Sequence, residues 1–386
     1  MGKSVLKVLH CITGLGFGGA QVMLYRFLRG LGEDRKNHEV ISLLPPAHFS
    51  QEIEKLGVKV TSANFPLGRF NLSGLSKIRS HISQFNPDII HGWMYHGNIA
   101  ASVANFGLAP ASRVIWSVHH SLHNLKAESK STRLLLKVSA PLSKNLGAIT
   151  YCSKQSEKQH SNLGFASSRK HIIPNGTDIQ LYIPRPSARK NLCMLGDIPS
   201  GRCVIGNINR NHPMKDQLSL VMAAKILIDR GRDIHLVLIG DGHEGSDAAK
   251  AAVELDILDR FTMLPARNDI PLIVPGLDLF VLSSAWGEAF PLSVGEAMSC
   301  EVPAVVTRVG DCDWLVGDAG IIVEPKDSVG LAEGIDLFLQ MPKSKRYALG
   351  RAARERIEKL FSLDLYIKSH NELYNNVSRK CRRHKR

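Results

Sequence analysis

The sequence predicts an α/β fold made of two parallel-sheet, Rossmann-like domains, and three observations carry that prediction. At 386 residues the chain exceeds the size at which a single hydrophobic core usually stops growing. Short β-branched runs alternate with helical patterns, the mark of a parallel sheet wrapped by crossover helices. The alternation breaks once, over Pro174 to Arg202, a stretch rich in Pro, Arg and Asn. A linker is therefore expected near Asp178–Pro186, between a first domain of residues 1–178 and a second of residues 187–362.

The first series of strands is expected at Lys7–Thr13, Glu39–Leu44, Val58–Ala63, Asp88–Trp93, Arg113–His119 and Ala148–Cys152. Helical patterns fall between them, among them Gln21–Leu31, Leu72–Phe85 and Leu134–Leu146. The second series runs Cys203–Ile208, His235–Gly240, Phe261–Leu264, Leu279–Leu282, Ala304–Thr307 and Ile321–Val323. Leu363–Tyr374 reads as a final helix, followed by a basic tail, within residues 363–386. The two series do not match as sequence repeats.

Composition narrows the class. A 44% hydrophobic content suits ordinary globular cores. Seven cysteines, odd in number and without Cys-x-x-Cys spacing, argue against a disulfide framework or a zinc site and fit a reducing cytosol. No apolar run approaches the ~18 residues that would span a bilayer, and the first residues are too short for a signal peptide. A cytoplasmic protein is expected, peripheral on the inner face of the cell membrane if it binds lipid. The net charge is +14, unevenly spread: residues 1–180 hold 21 Lys+Arg against 9 Asp+Glu, and six of the last eight residues are basic. That footprint suits an anionic membrane surface or a phosphate-bearing partner. Nucleic acid is not expected, because aromatic residues are only 6% and do not interleave with the basic ones.

Ligands of open α/β sheets bind outside the carboxyl ends of the strands, and the chemically suggestive residues cluster there. Gly14, Gly16 and Gly19 follow the first strand in a literal G-x-G-x-x-G. That pattern raises a nicotinamide-dependent oxidoreductase. Such an enzyme needs an acidic residue at the end of the second strand, where this chain has Leu43-Leu44-Pro45-Pro46. Arg210 and Lys215 follow the first strand of the second series, and cations there could stabilise a leaving diphosphate without a metal. Glu288 and Glu296 lie eight positions apart around Pro291, which reads as the first residue of a helix. Amides around Ala289 to Ser293 would then face an anion. Two hydroxyl acceptors beside an anion site suit a sugar nucleotide.

The block Trp286-Gly287-Glu288-Ala289-Phe290-Pro291-Leu292-Ser293-Val294-Gly295-Glu296 resembles the E-x7-E signature of the family 4 retaining glycosyltransferases, which have the two-domain GT-B fold. The resemblance extends to Gly14–Gln21, Trp93–Asn98, Ile172–Asp178, Asn209–Asp216, Val309–Asp311 and Val316–Gly320, in the family's order. It implies two Rossmann-like domains facing across a cleft, with the C-terminal helix crossing back to the first. It also implies transfer of a hexose or N-acetylhexosamine from a UDP- or GDP-sugar, with no resident cofactor and no metal.

By the same resemblance, Arg210 and Lys215 hold the leaving diphosphate with the segment Phe290, Pro291, Leu292 and Ser293. Glu296 binds the ribose, Glu288 the sugar, and Gly16, Gly18 and Gly19 approach the diphosphate. His119, followed by His120 and His123, is expected to contact the sugar or phosphate, while His96 and Asn98 line the acceptor side. Gln21 stands where many relatives carry Glu, and Ala289 where glycine is common. The acceptor is expected to be a polyprenyl-diphosphate-linked or other lipid-anchored glycan in bacterial surface polysaccharide assembly. A nicotinamide-dependent oxidoreductase and a non-catalytic sugar-nucleotide binder are the alternatives. Sixteen histidines show no ligand spacing, and Asp311-Cys312-Asp313 reads as a coincidental D-x-D, so no metal site is expected.

Overall fold

The computed structural model describes residues 6–66, 71–122, 125 and 128–383. His123 and the tail residues Lys385 and Arg386 lie outside them. The chain forms two compact units, Met1–Gly176 with Leu363–Arg386, and Thr177–Ser362.

Among the described residues unit 1 holds seven strands: β1 (Val8–Ile12), β2 (His38–Ser42), β3 (Lys59–Ser62), β4 (Ile89–Trp93), β5 (Val114–Val118), β6 (Ala148–Tyr151) and β7 (Lys170–Ile172). They pair in parallel in the order β3-β2-β1-β4-β5-β6-β7. Unit 2 holds β8 (Cys203–Ile208), β9 (Ile234–Ile239), β10 (Phe261–Leu264), β11 (Leu279–Leu282), β12 (Ala304–Thr307) and β13 (Gly320–Val323). Their order is β10-β9-β8-β11-β12-β13, again all parallel. Both sheets therefore reverse direction beside their first strand, the arrangement of a doubly wound sheet.

The central strands are buried on both faces, as helices on either side require. Leu9, Ile41, Ile90, Trp116 and Ile149 anchor the core of unit 1, and Ile205, Leu236, Leu238, Leu279 and Val305 that of unit 2. The strand β7 carries no apolar run and is exposed along its length, which is why sequence patterning did not reveal it. The final helix, Leu363–Arg383, belongs to unit 1 and runs nine residues beyond the expected Tyr374.

The expected linker over 178–186 lies in unit 2. Its Tyr182 is buried, and the Tyr182 carbonyl accepts from Ser299 Oγ at 2.7 Å and Arg354 Nη1 at 3.2 Å. These bonds to its backbone tie the segment to unit 2.

Candidate functional site

In unit 2 the two strands flanking the reversal are β8 and β11, and the expected donor-site residues follow them. After β8 the chain turns through Asn209–His212 into a 3₁₀ turn, Pro213–Lys215. Asp216 adopts a left-handed conformation and caps the helix Gln217–Asp229, its carboxylate accepting from Ser219 Oγ at 2.8 Å. Lys215 thus sits just before a capped helix start. Its ammonium turns toward β11, where Nζ meets Glu288 Oε1 at 2.5 Å.

This pair is nearly buried, with side-chain exposures of 13% for Lys215 and 7% for Glu288. A buried ion pair holds only if its remaining groups are also bonded. Ser284 Oγ donates to the same Glu288 oxygen at 2.5 Å, and Ser283 Oγ donates to the Lys215 carbonyl at 2.8 Å. The Ala285 amide donates to the Met214 carbonyl at 2.8 Å, lacing the two loops together. Gly287 is required where it stands: its φ is 78°, and a Cβ there would lie 2.4 Å from Met214 Sδ. Gly310, also at positive φ, lets its loop pass the Glu288 carbonyl oxygen, which a Cβ would approach to 2.2 Å.

Pro291 is not the first helical residue. It is the N-cap, in an extended conformation, and the helix runs Leu292–Ser299. Pro291 has no N–H to offer an anion, so the donors at this helix start begin at Leu292 and Ser293. Phe290 is buried against Trp314 and Phe361, with ring centroids 5.6 and 5.1 Å away, so its side chain anchors the turn. Glu296 lies one turn into this helix and is buried. The preceding Gly295 packs on Thr177, where a Cβ would meet Oγ1 at 2.6 Å. Arg210 is exposed on the β8 loop, and its carbonyl accepts from Gln217 Nε2 at 3.1 Å.

Cys312 is fully buried within reach of the Glu288 charge; burial first and that charge second push its thiol well up, so it stays protonated. Asp311 stands at the N-cap position of the helix Cys312–Val316, and Asp313 lies within that helix. Among the described residues no group of three or more His, Cys, Asp or Glu could hold a metal ion.

Unit 1 places the remaining expected residues at the carboxyl ends of β1 and β5. Gly16, Gly18 and Gly19 lead into the helix Gly19–Gly30, and Gln21 Nε2 donates to the Gly14 carbonyl at 3.1 Å. A glutamate at 21 could not make that bond, which gives the departure from the family pattern a structural role. His119 follows β5, stacked on Trp93 with centroids 5.3 Å apart. Burial pushes its pKa down to about 4, with the Asn175 hydrogen bond opposing, so the ring is neutral at pH 7. Its Nδ1 lies 3.1 Å from Asn175 Oδ1, an acceptor, which fixes the proton on Nδ1 and leaves Nε2 as the basic nitrogen.

Asn98, expected on the acceptor side, is instead buried, its amide donating to the Ser117 carbonyl at 3.1 Å. His96 is exposed. Sequence reasoning missed Ser283, Ser284 and Met214. Two serines directly after an apolar strand on the binding edge were the available signal for the first two.

Residues 196–356 match the family model described as glycosyl transferases group 1, and residues 17–181 match that described as Glycosyltransferase Family 4. A Bacillus subtilis protein assigned as a glycosyltransferase, EpsF, is 25% identical over 93% of this chain and 92% of its own length. An Escherichia coli UDP-Gal:α-D-GlcNAc-diphosphoundecaprenol α-1,3-galactosyltransferase is 27% identical over 67% of this chain and 69% of its own. Among solved structures, Anabaena Alr3699/HepE in complex with UDP and glucose superposes with a TM-score of 0.82 at 22% identity, covering 95% of this chain and 98% of that one.

Proposed function

The chain belongs to the family 4 glycosyltransferases, glycosyl transferases group 1, with the GT-B fold, and we propose that it transfers a hexose or N-acetylhexosamine from a nucleoside-diphosphate sugar to a lipid-linked glycan, with retention of anomeric configuration. The observation that carries the reading is the buried Lys215–Glu288 pair beside the Leu292–Ser299 helix start, at the carboxyl ends of β8 and β11.

In this reading unit 2 takes the donor. Lys215 and Arg210 neutralise the diphosphate, and the amides of Leu292 and Ser293 add their dipoles. Glu296 accepts from the ribose hydroxyls and Glu288 from the sugar. Gly16, Gly18 and Gly19 offer a backbone unobstructed by side chains to a diphosphate, and His119 offers Nε2 to the transferred sugar or its phosphate. The anomeric carbon–phosphate oxygen bond breaks as the acceptor oxygen bonds the same face of that carbon. The acceptor proton passes to the leaving phosphate oxygen. No metal is required for this step.

The E. coli relative's diphosphoundecaprenol acceptor supports a polyprenyl-diphosphate carrier, and the basic charge of residues 1–180 suits its phosphates and an anionic membrane. No helix among the described residues is long and apolar enough to cross a membrane. A cytoplasmic enzyme, peripheral at the inner membrane face, fits this reading.

Thermal melting with UDP, GDP, NAD and the corresponding sugar nucleotides, in EDTA, tests the donor site. A ligand at about 100 times its dissociation constant adds roughly 2.7 kcal/mol of stability. One nucleoside diphosphate should raise the melting temperature, and Glu296→Ala should abolish the shift. A shift with NAD alone would overturn the reading.

A further inference from the structure

The glycine loop carries a residue that the donor chemistry does not use. Phe17 is 76% exposed, in the loop that follows β1 at its carboxyl end. Exposed phenylalanines are ordinarily loose, but this one is held. Its ring stacks on His48 with centroids 4.5 Å apart and planes 21° from parallel. The buried Phe49 supports both rings edge-on, 6.1 Å from Phe17 and 4.9 Å from His48. The backbone is fixed as well. The Phe49 amide donates to the Leu15 carbonyl at 2.9 Å, and Leu44 N to the Thr13 carbonyl at 3.0 Å, clasping the loops after β1 and β2. Ser50 Oγ accepts from the Ala47 amide at 3.0 Å, setting the helix start that carries His48.

The result is a flat aromatic surface one ring wide, backed on one side and open on the other. Gly16 and Gly19 leave the neighbouring space empty, since a Cβ on either would meet nothing within 4 Å. A protein partner or a membrane would need a broader apolar area. A single ring with its rim open to polar groups matches a pyranose, which has one apolar face of axial C–H bonds and an edge of hydroxyls. Aromatic residues fit this use because they bury area at small cost in rotamer entropy.

We infer that Phe17, backed by His48, is the stacking platform for a pyranose ring of the acceptor glycan, and so a determinant of acceptor specificity. The inference rests on the proposed transferase reading and adds an acceptor subsite to it.

Saturation-transfer NMR on the full chain with methyl α-D-glucopyranoside and methyl N-acetyl-α-D-glucosaminide tests it, beside the diphosphate melting assay. The axial ring protons of at least one glycoside should take up saturation in the wild type. Phe17→Ala should weaken that binding about tenfold, the size of one aromatic contact. Phe17→Trp should retain it, and the diphosphate shift should be unchanged in both variants. Equal saturation in Phe17→Ala and wild type would overturn the platform. Loss of the diphosphate shift in Phe17→Ala, with glycoside binding kept, would also overturn it and assign the ring to the nucleotide. Absence of any diphosphate shift in the wild type would instead remove the transferase reading, while the glycoside signal would still judge the platform.

Discussion

The two units share a strand order and differ at the point where that order reverses. In unit 1 the β1–β4 ladder runs its full length, from Val8↔Ile89 to Ile12↔Trp93. The helix Met94–Asn105 then closes down on it: a Cβ on Gly97 would stand 2.5 Å from the Cys11 carbonyl oxygen. In unit 2 the β8–β11 ladder pairs only Leu279↔Ile205 and Phe280↔Gly206. Beyond it Asn207 Nδ2 donates to the Val281 carbonyl at 2.8 Å, a side chain standing in for the ladder.

The polar groups divide in the same way. Unit 1 spends them inside the sheet. His91 lies 2.7 Å from the Tyr374 hydroxyl of the final helix and 2.6 Å from Ser117 Oγ. Trp93 Nε1 donates to His10 Nδ1 at 3.1 Å, so His10 Nε2–H donates to His38 Nδ1 at 2.9 Å. Unit 2 keeps its sheet more apolar and gathers Lys215, Ser283, Ser284 and Glu288 at the strand ends. One topology thus yields a closed reversal wired for structure and an opened one that presents charge.

The largest expected consequence is an acid sensitivity greater in unit 1 than in unit 2. Burial lowers His10 and His91 well below 6.5, and brings His38 and His370 to about 3. These rings are neutral when folded and take up protons when unfolded. Stability is therefore complete above pH 6.5 and is lost as pH falls from 6.5 toward 3. At pH 5 the loss is roughly 2 kcal/mol for each histidine. In unit 2 burial lowers His235 to about 4 and depresses His243 as well, a smaller load. Hydrogen exchange by peptide, compared at pH 7.5 and pH 5 after correction for intrinsic rates, should show unit 1 opening first. Equal deprotection of both units would break the comparison on its structural side.

Removing the charge at the other reversal comes next. Lys215→Ala should lower kcat by about 10³, near 4 kcal/mol, the scale of losing a principal electrostatic stabiliser. It also strands Glu288 as a buried unpaired carboxylate, so its melting temperature should fall. Lys215→Met with Glu288→Gln should recover stability without recovering activity. Recovered turnover in that double variant would mean that the pair serves the fold alone.

How much of this was legible in the sequence follows from what each feature depends on. The strands of unit 2 were readable nearly to the residue, because Leu279–Leu282 and Ala304–Thr307 are short apolar runs bounded by Gly and Pro signals. The exposed edge strand Lys170–Ile172 has no such run and was invisible. The residue types of the donor site were readable from spacing along one segment. Their pairing was not: Lys215 and Glu288 are 73 positions apart and meet only because β8 and β11 are neighbours. Asn98 failed in the opposite direction. Its motif is at the right place in the chain, but Gly97 brings the helix so close that the amide is used on Ser117.

That tight approach predicts the next effect. Gly97→Ala should force the Met94–Asn105 helix away from β1 and cost about 1–3 kcal/mol of stability. Nucleoside diphosphate binding in unit 2 should not change. A melting temperature equal to wild type would show that the closed reversal has slack, and would soften the contrast with unit 2.

The smallest effect bears on the open reversal itself. Asn207→Ala leaves the Val281 carbonyl oxygen without its side-chain partner, which should cost about 1 kcal/mol. If the divergence of β8 from β11 positions Lys215, the same substitution should weaken diphosphate binding, read as a smaller melting shift at fixed ligand concentration. The stability loss and the binding loss are separable, since the first appears without ligand and the second only as a difference with it. A full diphosphate shift on a destabilised protein would make the divergence a passive feature. The 2.5 Å pair, held by Ser283 and Ser284 on the β11 side, would then suffice to fix the charge.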